Sequence, residues 1–139
     1  MELAFIIVWV TYGFKHFVAD FILQNKYMLG KFDPYPKFIL PLSAHCAVHA
    51  GIVVWMFLFA GMNSPRALDV DFLLIGLIIA AYEFFSHFLV DVIKAQWARI
   101  TKADHTQHRY WVAIGLDQFA HQVLSVPVIL AITFVLMGI

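Results

Sequence analysis

Four long apolar runs divide the chain, and the polar residues inside them recur at helical spacing. The runs cover about residues 3–23, 38–61, 72–97 and 111–138. Each is at least as long as the ~20 residues that an α-helix needs to cross ~30 Å of hydrocarbon. The pattern therefore predicts an all-α, polytopic membrane protein, in which four transmembrane helices form an up-down bundle as a single domain, residues 1–139.

Composition supports this class of protein. The 139 residues are 63% hydrophobic and 13% charged, whereas a soluble domain carries about 25% charged residues. The formal net charge is zero, which gives no indication of a nucleic-acid partner, and the apolar composition predicts membrane lipid as the partner. A single cysteine, Cys46, excludes an internal disulfide. The first run starts with Met-Glu and carries His16 and Asp20, so we interpret it as a retained span and not as a signal peptide.

Basic residues lie unevenly between the predicted links. Arg66 falls on one side of the bundle, and eight others fall on the side of the first and third links: Lys15, Lys26, Lys31, Lys37, Lys94, Arg99, Lys102 and Arg109. By the positive-inside rule, those two links are cytoplasmic and both termini lie outside, which predicts a multi-pass membrane protein. We expect Lys15 to extend its stem to the surface and the first link, residues 25–37, to lie in the membrane interface.

The residues that can carry chemistry form four pairs, one in each span, each with a spacing of four residues. They are His16/Asp20, His45/His49, His87/Asp91 and Asp117/His121. Side chains one helical turn apart share a face and can bind one ion together. In an up-down bundle all four pairs would lie roughly 5–16 Å below the cytoplasmic boundary, at ~1.5 Å per residue. Because unpaired polar groups at this depth are costly, a shared layer predicts function more strongly than any single pair.

Histidine and aspartate without thiolates are typical ligands of a divalent transition metal. Five histidines and three aspartates exceed what one ion binds, so we predict one or two ions, with zinc favoured over iron or manganese. The surplus carboxylates could orient the imidazoles. The predicted metal ligands are His16, Asp20, His45, His49, His87, Asp91, Asp117 and His121.

A hydrolytic reaction is favoured because the ligand set contains less glutamate than the di-iron helical bundles do. We predict a metal-dependent hydrolase that acts on a lipid-like or amphiphilic substrate. A carboxylate left off the metal would be the general base, and Lys94 would neutralise a carboxylate or hold an anionic substrate. The predicted catalytic residues are Asp20, Glu83, Asp91 and Lys94. Two alternatives stay open: Glu83 would be a neutral carboxyl paired with a neighbour, and Lys94 would extend to the surface. Roles for Gln24, His105 and His108 also stay open.

Taken in order, the motifs resemble one known pattern. They are Lys15-His16-x3-Asp20-Phe21-x-Leu23-Gln24-x-Lys26, then His45, then His87-x3-Asp91-x2-Lys94, and finally Asp117-Gln118-x2-His121. Over nearly its whole length the chain resembles the family called domain of unknown function 3307, small membrane proteins of bacteria and phages. The resemblance implies a multi-pass protein of the bacterial inner membrane with this site, and it implies no activity. A more distant likeness to bacterial membrane-bound metal-dependent hydrolases concerns the type of site alone.

Other classes of function stay open. A metal-ion or proton transporter would use the same residues as a path, but the outer half offers few polar groups, unless a homo-oligomer forms the pore. A haem or di-iron redox protein would use histidines from different helices, such as His45 or His49 with His87. In an interaction protein, the polar layer would only fix the bundle through interhelical hydrogen bonds.

Overall fold

The structure is a computed structural model that describes residues 2–64 and 70–139. Within these ranges the long elements are four helices, α1 (Glu2–Phe17), α2 (Ile39–Met62), α3 (Val70–Thr101) and α4 (His108–Met137). Each is long and apolar enough to cross a membrane, α1 together with the turn that follows it. The predicted all-α fold with four spans is confirmed for these residues. Residues 65–69 lie outside these ranges. They include Arg66, the basic residue predicted on the side opposite the other eight, and also Pro65 and Asp69.

The helices differ from the apolar runs mainly at their ends. α3 starts at Val70 and continues to Thr101, beyond the predicted 72–97, because the apolar run marks the part suited to hydrocarbon and not the whole hydrogen-bonded helix. α1 passes into a π-helical turn, Val18–Ile22, in which the Leu23 N–H donates to the Val18 carbonyl at 2.9 Å. Such turns occur frequently at functional sites, and this one carries Asp20.

An apolar core fills the half of the bundle that contains both termini, which is the half predicted to lie away from the cytoplasm. The N-terminal half of α1 meets the C-terminal halves of α2 and α4 and the start of α3 there, around Val8, Val53, Phe57, Phe72 and Ile129. The outer surface is also apolar, and Phe14, Leu77 and Phe119 are each about two-thirds exposed. Large exposed apolar side chains of this kind suit contact with lipid.

The first link packs into the bundle. Residues Met28–Phe32 form a short 3₁₀ helix that contacts both α2 and α3. Met28 and Lys31 are buried there, beside a small cluster of Phe38, Leu42 and Cys46. The link therefore buries Lys31 inside the protein, whereas the sequence predicted this lysine as a charge on the cytoplasmic surface.

Candidate metal centre

The four predicted pairs meet in the half of the bundle opposite the apolar core. One pair comes from the end of α1 and its π-helical turn, and the others come from the start of α2, the later part of α3 and the start of α4. His45 and His49 are fully buried, and His87, Asp91, Asp117 and His121 are nearly so. The side chains of His16 and Asp20 are 14% and 19% exposed. The structure thus places all eight predicted ligands in one polar layer.

One group of four residues can offer a ligand atom each, with those atoms all within 4.8 Å of one another: Asp20, His45, His49 and His87. Asp20 Oδ1 lies 3.0 Å from His49 Nε2 and 3.3 Å from His45 Nε2. Two ligands at about 2.0–2.2 Å from one ion lie roughly 3.0–3.5 Å apart in tetrahedral or octahedral geometry. The contacts around Asp20 have the spacing of ligands that share one ion.

A second group, His87, Asp91 and His121, satisfies the same criterion. His121 Nε2 lies 3.4 Å from Asp91 Oδ1. His87 belongs to both groups, and His45 Nε2 is 3.3 Å from Asp20 Oδ1 and equally 3.3 Å from Asp91 Oδ2. The two groups are therefore adjacent, and together they contain enough ligands for one or two ions.

Several imidazole nitrogens in this layer are buried and have no hydrogen-bond partner among the described residues. They are His16 Nε2, both ring nitrogens of His45, and His87 Nε2. His16 Nε2 lies 3.1 Å from Asp20 Oδ2, but without hydrogen-bond geometry. Leaving a buried polar atom unpaired costs about 1–3 kcal/mol, and a metal ion is a natural partner for an imidazole lone pair. The residues present therefore fit a divalent metal ion.

A buried ion pair lies deeper than the histidines. The Lys15 ammonium contacts the Glu83 carboxylate and donates to His49 Nδ1 at 3.1 Å. The Tyr12 hydroxyl donates to the other oxygen of Glu83 at 2.5 Å. The expectation that Lys15 extends to the surface is wrong, because α1 points Lys15 inward, where Glu83 on α3 supplies the opposite charge. Glu83 is accordingly held by two partners from α1.

Two further lysines neutralise the acids of the layer. Lys31 Nζ donates to Asp91 Oδ2 at 2.9 Å, and both side chains are at most 9% exposed. Lys94 Nζ donates to Asp117 Oδ2 at 2.6 Å, in line with one of its predicted roles.

Sequence reasoning missed the contributions of Tyr12, Lys15 and Lys31. A usable signal existed on α1, where Tyr12, Lys15 and Ala19 follow one another at spacings of three and four residues, as one face of a helix does, and all three are buried. For Lys31 the only local hint was its apolar setting between Leu29 and Phe32, since its partner comes from a distant helix.

The remaining candidates take different places. His16 lies outside both ligand groups, although its ring packs against the rings of His49, His87 and His121, with centroids 5.0–5.5 Å apart. Asp117 is also outside them, with its Oδ1 3.6 Å from His121 Nε2. Both stay predicted ligands. His105 and His108 are exposed, and Gln24 is half-buried.

A cleft of about 470 Å³ between α1 and α4 connects the polar layer to the outside of the bundle. Its walls include Trp9, Phe17 and Phe21, and its inner end reaches His16 and His121. The cleft opens between two helices that are each apolar enough to cross a membrane. The cleft therefore gives the site a lateral opening.

A family model described as "Protein of unknown function (DUF3307)" matches residues 6–138. The match runs from α1 to the end of α4 and includes every predicted ligand. No curated protein and no solved structure matches the chain.

Proposed function

We propose a function for this chain, which belongs to the family described as protein of unknown function (DUF3307): it is a membrane-embedded, metal-dependent hydrolase of a lipid-like or amphiphilic substrate. The observation that carries the proposal is the set of buried imidazole nitrogens without a hydrogen bond on His16, His45 and His87. His16 Nε2 lies 3.1 Å from Asp20, and His45 Nε2 lies 3.3 Å from both Asp20 and Asp91, at distances that suit ligands of one ion.

The ligands divide naturally into two places. Asp20, His45 and His49 would hold one ion, Asp91 and His121 a second, and His87 lies between them. Nitrogen and oxygen ligands without thiolate favour zinc, with iron or manganese as the other candidates. A bound divalent ion would lower the pKa of a bound water and polarise the scissile carbonyl or phosphoryl oxygen.

The protein's own groups would handle protons and charge. A carboxylate oxygen of Asp20 or Asp91 that is left off the metal would be the general base. Lys94 is 30% exposed and holds Asp117 at the side of the layer towards the predicted cytoplasm, where it could also meet an anionic substrate. Lys15 and Glu83 lie at Nδ1 of His49, on the side away from Asp20, and would fix this ring. When Nε2 binds a metal ion, Nδ1 carries the ring proton, and the Glu83 carboxylate, not the Lys15 ammonium, would attract it. Glu83 is thus better suited to positioning than to proton transfer.

Two observations disfavour a transporter and a haem protein. The apolar core around Val53, Phe57 and Ile129 fills the far half of the bundle, where Thr133 donates to the backbone of its own helix, so the described residues give a transport path no polar continuation there. The histidine rings also contact one another directly, with His49 and His87 centroids 3.7 Å apart. A porphyrin between these two rings would have to separate them.

Metal content is the first test. The protein is purified in detergent without chelators and analysed for zinc, iron and manganese, and about one to two equivalents are expected for a structural or catalytic site. The His45→Ala/His49→Ala variant should lose most of this metal. The matched control is His105→Ala/His108→Ala, because both of those histidines are exposed. Less than about half an equivalent in the wild type would overturn the metal centre.

Hydrolysis is tested separately on the metal-loaded protein. Chromogenic alkyl esters and alkyl phosphodiesters, each with a short and a long chain, are supplied in mixed micelles. We expect turnover of at least one long-chain substrate, which stops with a chelator and returns with the metal. Metal-loaded protein without turnover of any of the four would contradict the hydrolase and leave the metal centre in place.

A further inference from the structure

We infer that the cleft between α1 and α4 binds one chain-bearing amphiphile from the side, and that Gln122 positions its head group beside His16 and His121. The amphiphile has a single long hydrocarbon chain and a head group with an ester or phosphate oxygen that accepts hydrogen bonds. The inference rests on the proposed function for the reaction that follows, whereas the binding itself can be measured without any reaction.

The walls of the cleft suit a hydrocarbon chain. Trp9, Val10 and Phe21 line it, and each is at least half exposed on the outside of the bundle. Its volume of about 470 Å³ lies within the roughly 300–1,000 Å³ of small-molecule sites. A chain lying between these side chains would meet lipid on one side and the protein on the other.

Polar side chains also line the cleft, and two of them make no hydrogen bond to a described residue. Gln118 donates to Asp117 Oδ2 at 3.1 Å, and the Ser125 hydroxyl donates to the backbone carbonyl of Gln122 at 2.7 Å. His16 Nε2 has no hydrogen bond, but His16 is a predicted metal ligand. The side-chain amide of Gln122, an exposed residue that lines the cleft, also makes no hydrogen bond to another described residue, and it is left for an occupant.

An amide without a hydrogen bond is unusual at the depth of Gln122. α4 has 30 residues from His108 to Met137, so Gln122 lies at its middle, where hydrocarbon surrounds a spanning helix. Polar side chains at this depth are costly unless they face a partner or a wet cavity. A head-group oxygen in the cleft would accept a hydrogen bond from the amide, and His121 lines the same cleft. Gln122 is therefore assigned as a positioning residue.

Gly13 offers a way to close the cleft without disturbing the helices. It lines the cleft, and a Cβ atom built at this position meets nothing within 4 Å. A leucine there would extend into the space that the chain is proposed to occupy. Gly115 is the matched control, because a Cβ there also meets nothing within 4 Å and Gly115 does not line the cleft.

The experiment uses a non-hydrolysable ether phospholipid with one chain and a diazirine on that chain, in phosphatidylcholine nanodiscs. After irradiation, labelled peptides are identified by mass spectrometry. Label should concentrate on α1 and α4, fall strongly in Gly13→Leu and stay unchanged in Gly115→Leu. Gln122→Leu should lower labelling roughly fivefold, the equivalent of one hydrogen bond. An alkane probe without a head group should be insensitive to Gln122→Leu.

Three outcomes would overturn the inference. Label could spread evenly over the four helices, or Gly13→Leu could leave it unchanged. A cross-link to a second copy through the cleft would show that a protein helix occupies it. Metal analysis of the same samples separates the two proposals: metal-free protein with label in the cleft contradicts the proposed function alone, and metal-loaded protein with evenly spread label contradicts this inference alone.

Discussion

The ion pair between Lys15 and Glu83 should be far more sensitive to loss of one member than to loss of both. Their side chains are only 2% and 3% exposed, and the second oxygen of Glu83 accepts from the Tyr12 hydroxyl. Glu83→Leu leaves a buried ammonium without its counter-charge, and Lys15→Met leaves a buried carboxylate. The Lys15→Met/Glu83→Leu variant removes both charges and keeps similar volume.

The expected magnitudes follow from this burial. Each single substitution should lower the free energy of unfolding by about 3–5 kcal/mol, since a charge is left uncompensated in a low-dielectric site. Tyr12→Phe removes one hydrogen bond to a charged group and should cost about 1.5–3 kcal/mol. The double variant should be more stable than either single variant. Its free energy of unfolding should equal that of the wild type or exceed it by about 1–4 kcal/mol, because apolar replacement of a buried pair is often neutral or stabilising.

Unfolding in mixed detergent micelles, followed by circular dichroism as the denaturing detergent increases, gives these free energies. Lys26→Met is the control, because Lys26 is exposed and its loss should change the unfolding free energy by no more than about 0.5 kcal/mol. If Lys15 extended to the surface instead, Lys15→Met would behave like Lys26→Met and show no coupling with Glu83→Leu. That result would refute the reasoning on the buried pair.

Two further predictions concern the ligand groups and the topology. His87→Ala should lower the metal content more than His121→Ala, because His87 belongs to both groups and His121 to one. Equal losses measured by elemental analysis would contradict a shared His87. For the topology, single cysteines replace Tyr35 or Asn63, both exposed, in a Cys46→Ser background. A membrane-impermeant thiol reagent should reach position 35 from the predicted cytoplasmic side and position 63 from the other. Labelling of both from one side would contradict the up-down arrangement.

Local patterns were sufficient for the fold and for the histidines. The length of each apolar run predicts a spanning helix without knowledge of its neighbours, and a spacing of four residues places two side chains on one face. Because His45 and His49 occupy such a face on α2, their meeting with His87 on α3 required only an up-down arrangement. Both histidines are fully buried in the structure, within the layer that the spacing predicted.

The lysines were beyond local patterns because a lysine in a span has two physical solutions. It can extend to the surface, or it can pair with an acid on another helix, and the choice depends on helix rotation. Lys15 and Lys31 took the second solution, and Lys94, which is 30% exposed, also pairs with an acid on another helix. All three had been counted among the eight basic residues of the predicted cytoplasmic side, so five of the eight now support the orientation, which stays a prediction.

The distribution of lysines also indicates which ion should bind more tightly. Glu83, Asp91 and Asp117 each pair with a lysine. Among the described residues, the ion-pair partners of Asp20 are histidines alone, His16, His45 and His49. A largely buried carboxylate without a lysine, as Asp20 is, has the most to gain from a metal ion.

At Asp91, in contrast, Lys31 already occupies one oxygen. We therefore expect one tightly bound ion at the group around Asp20 and a weaker second ion at the group around Asp91. Lys31→Met should free Asp91 Oδ2 and raise the occupancy of the second ion in a zinc titration. Lys37→Met, at an exposed lysine of the same link, should leave the titration unchanged. An unchanged or lower zinc stoichiometry in a folded Lys31→Met protein would show that Lys31 does not compete with a metal ion.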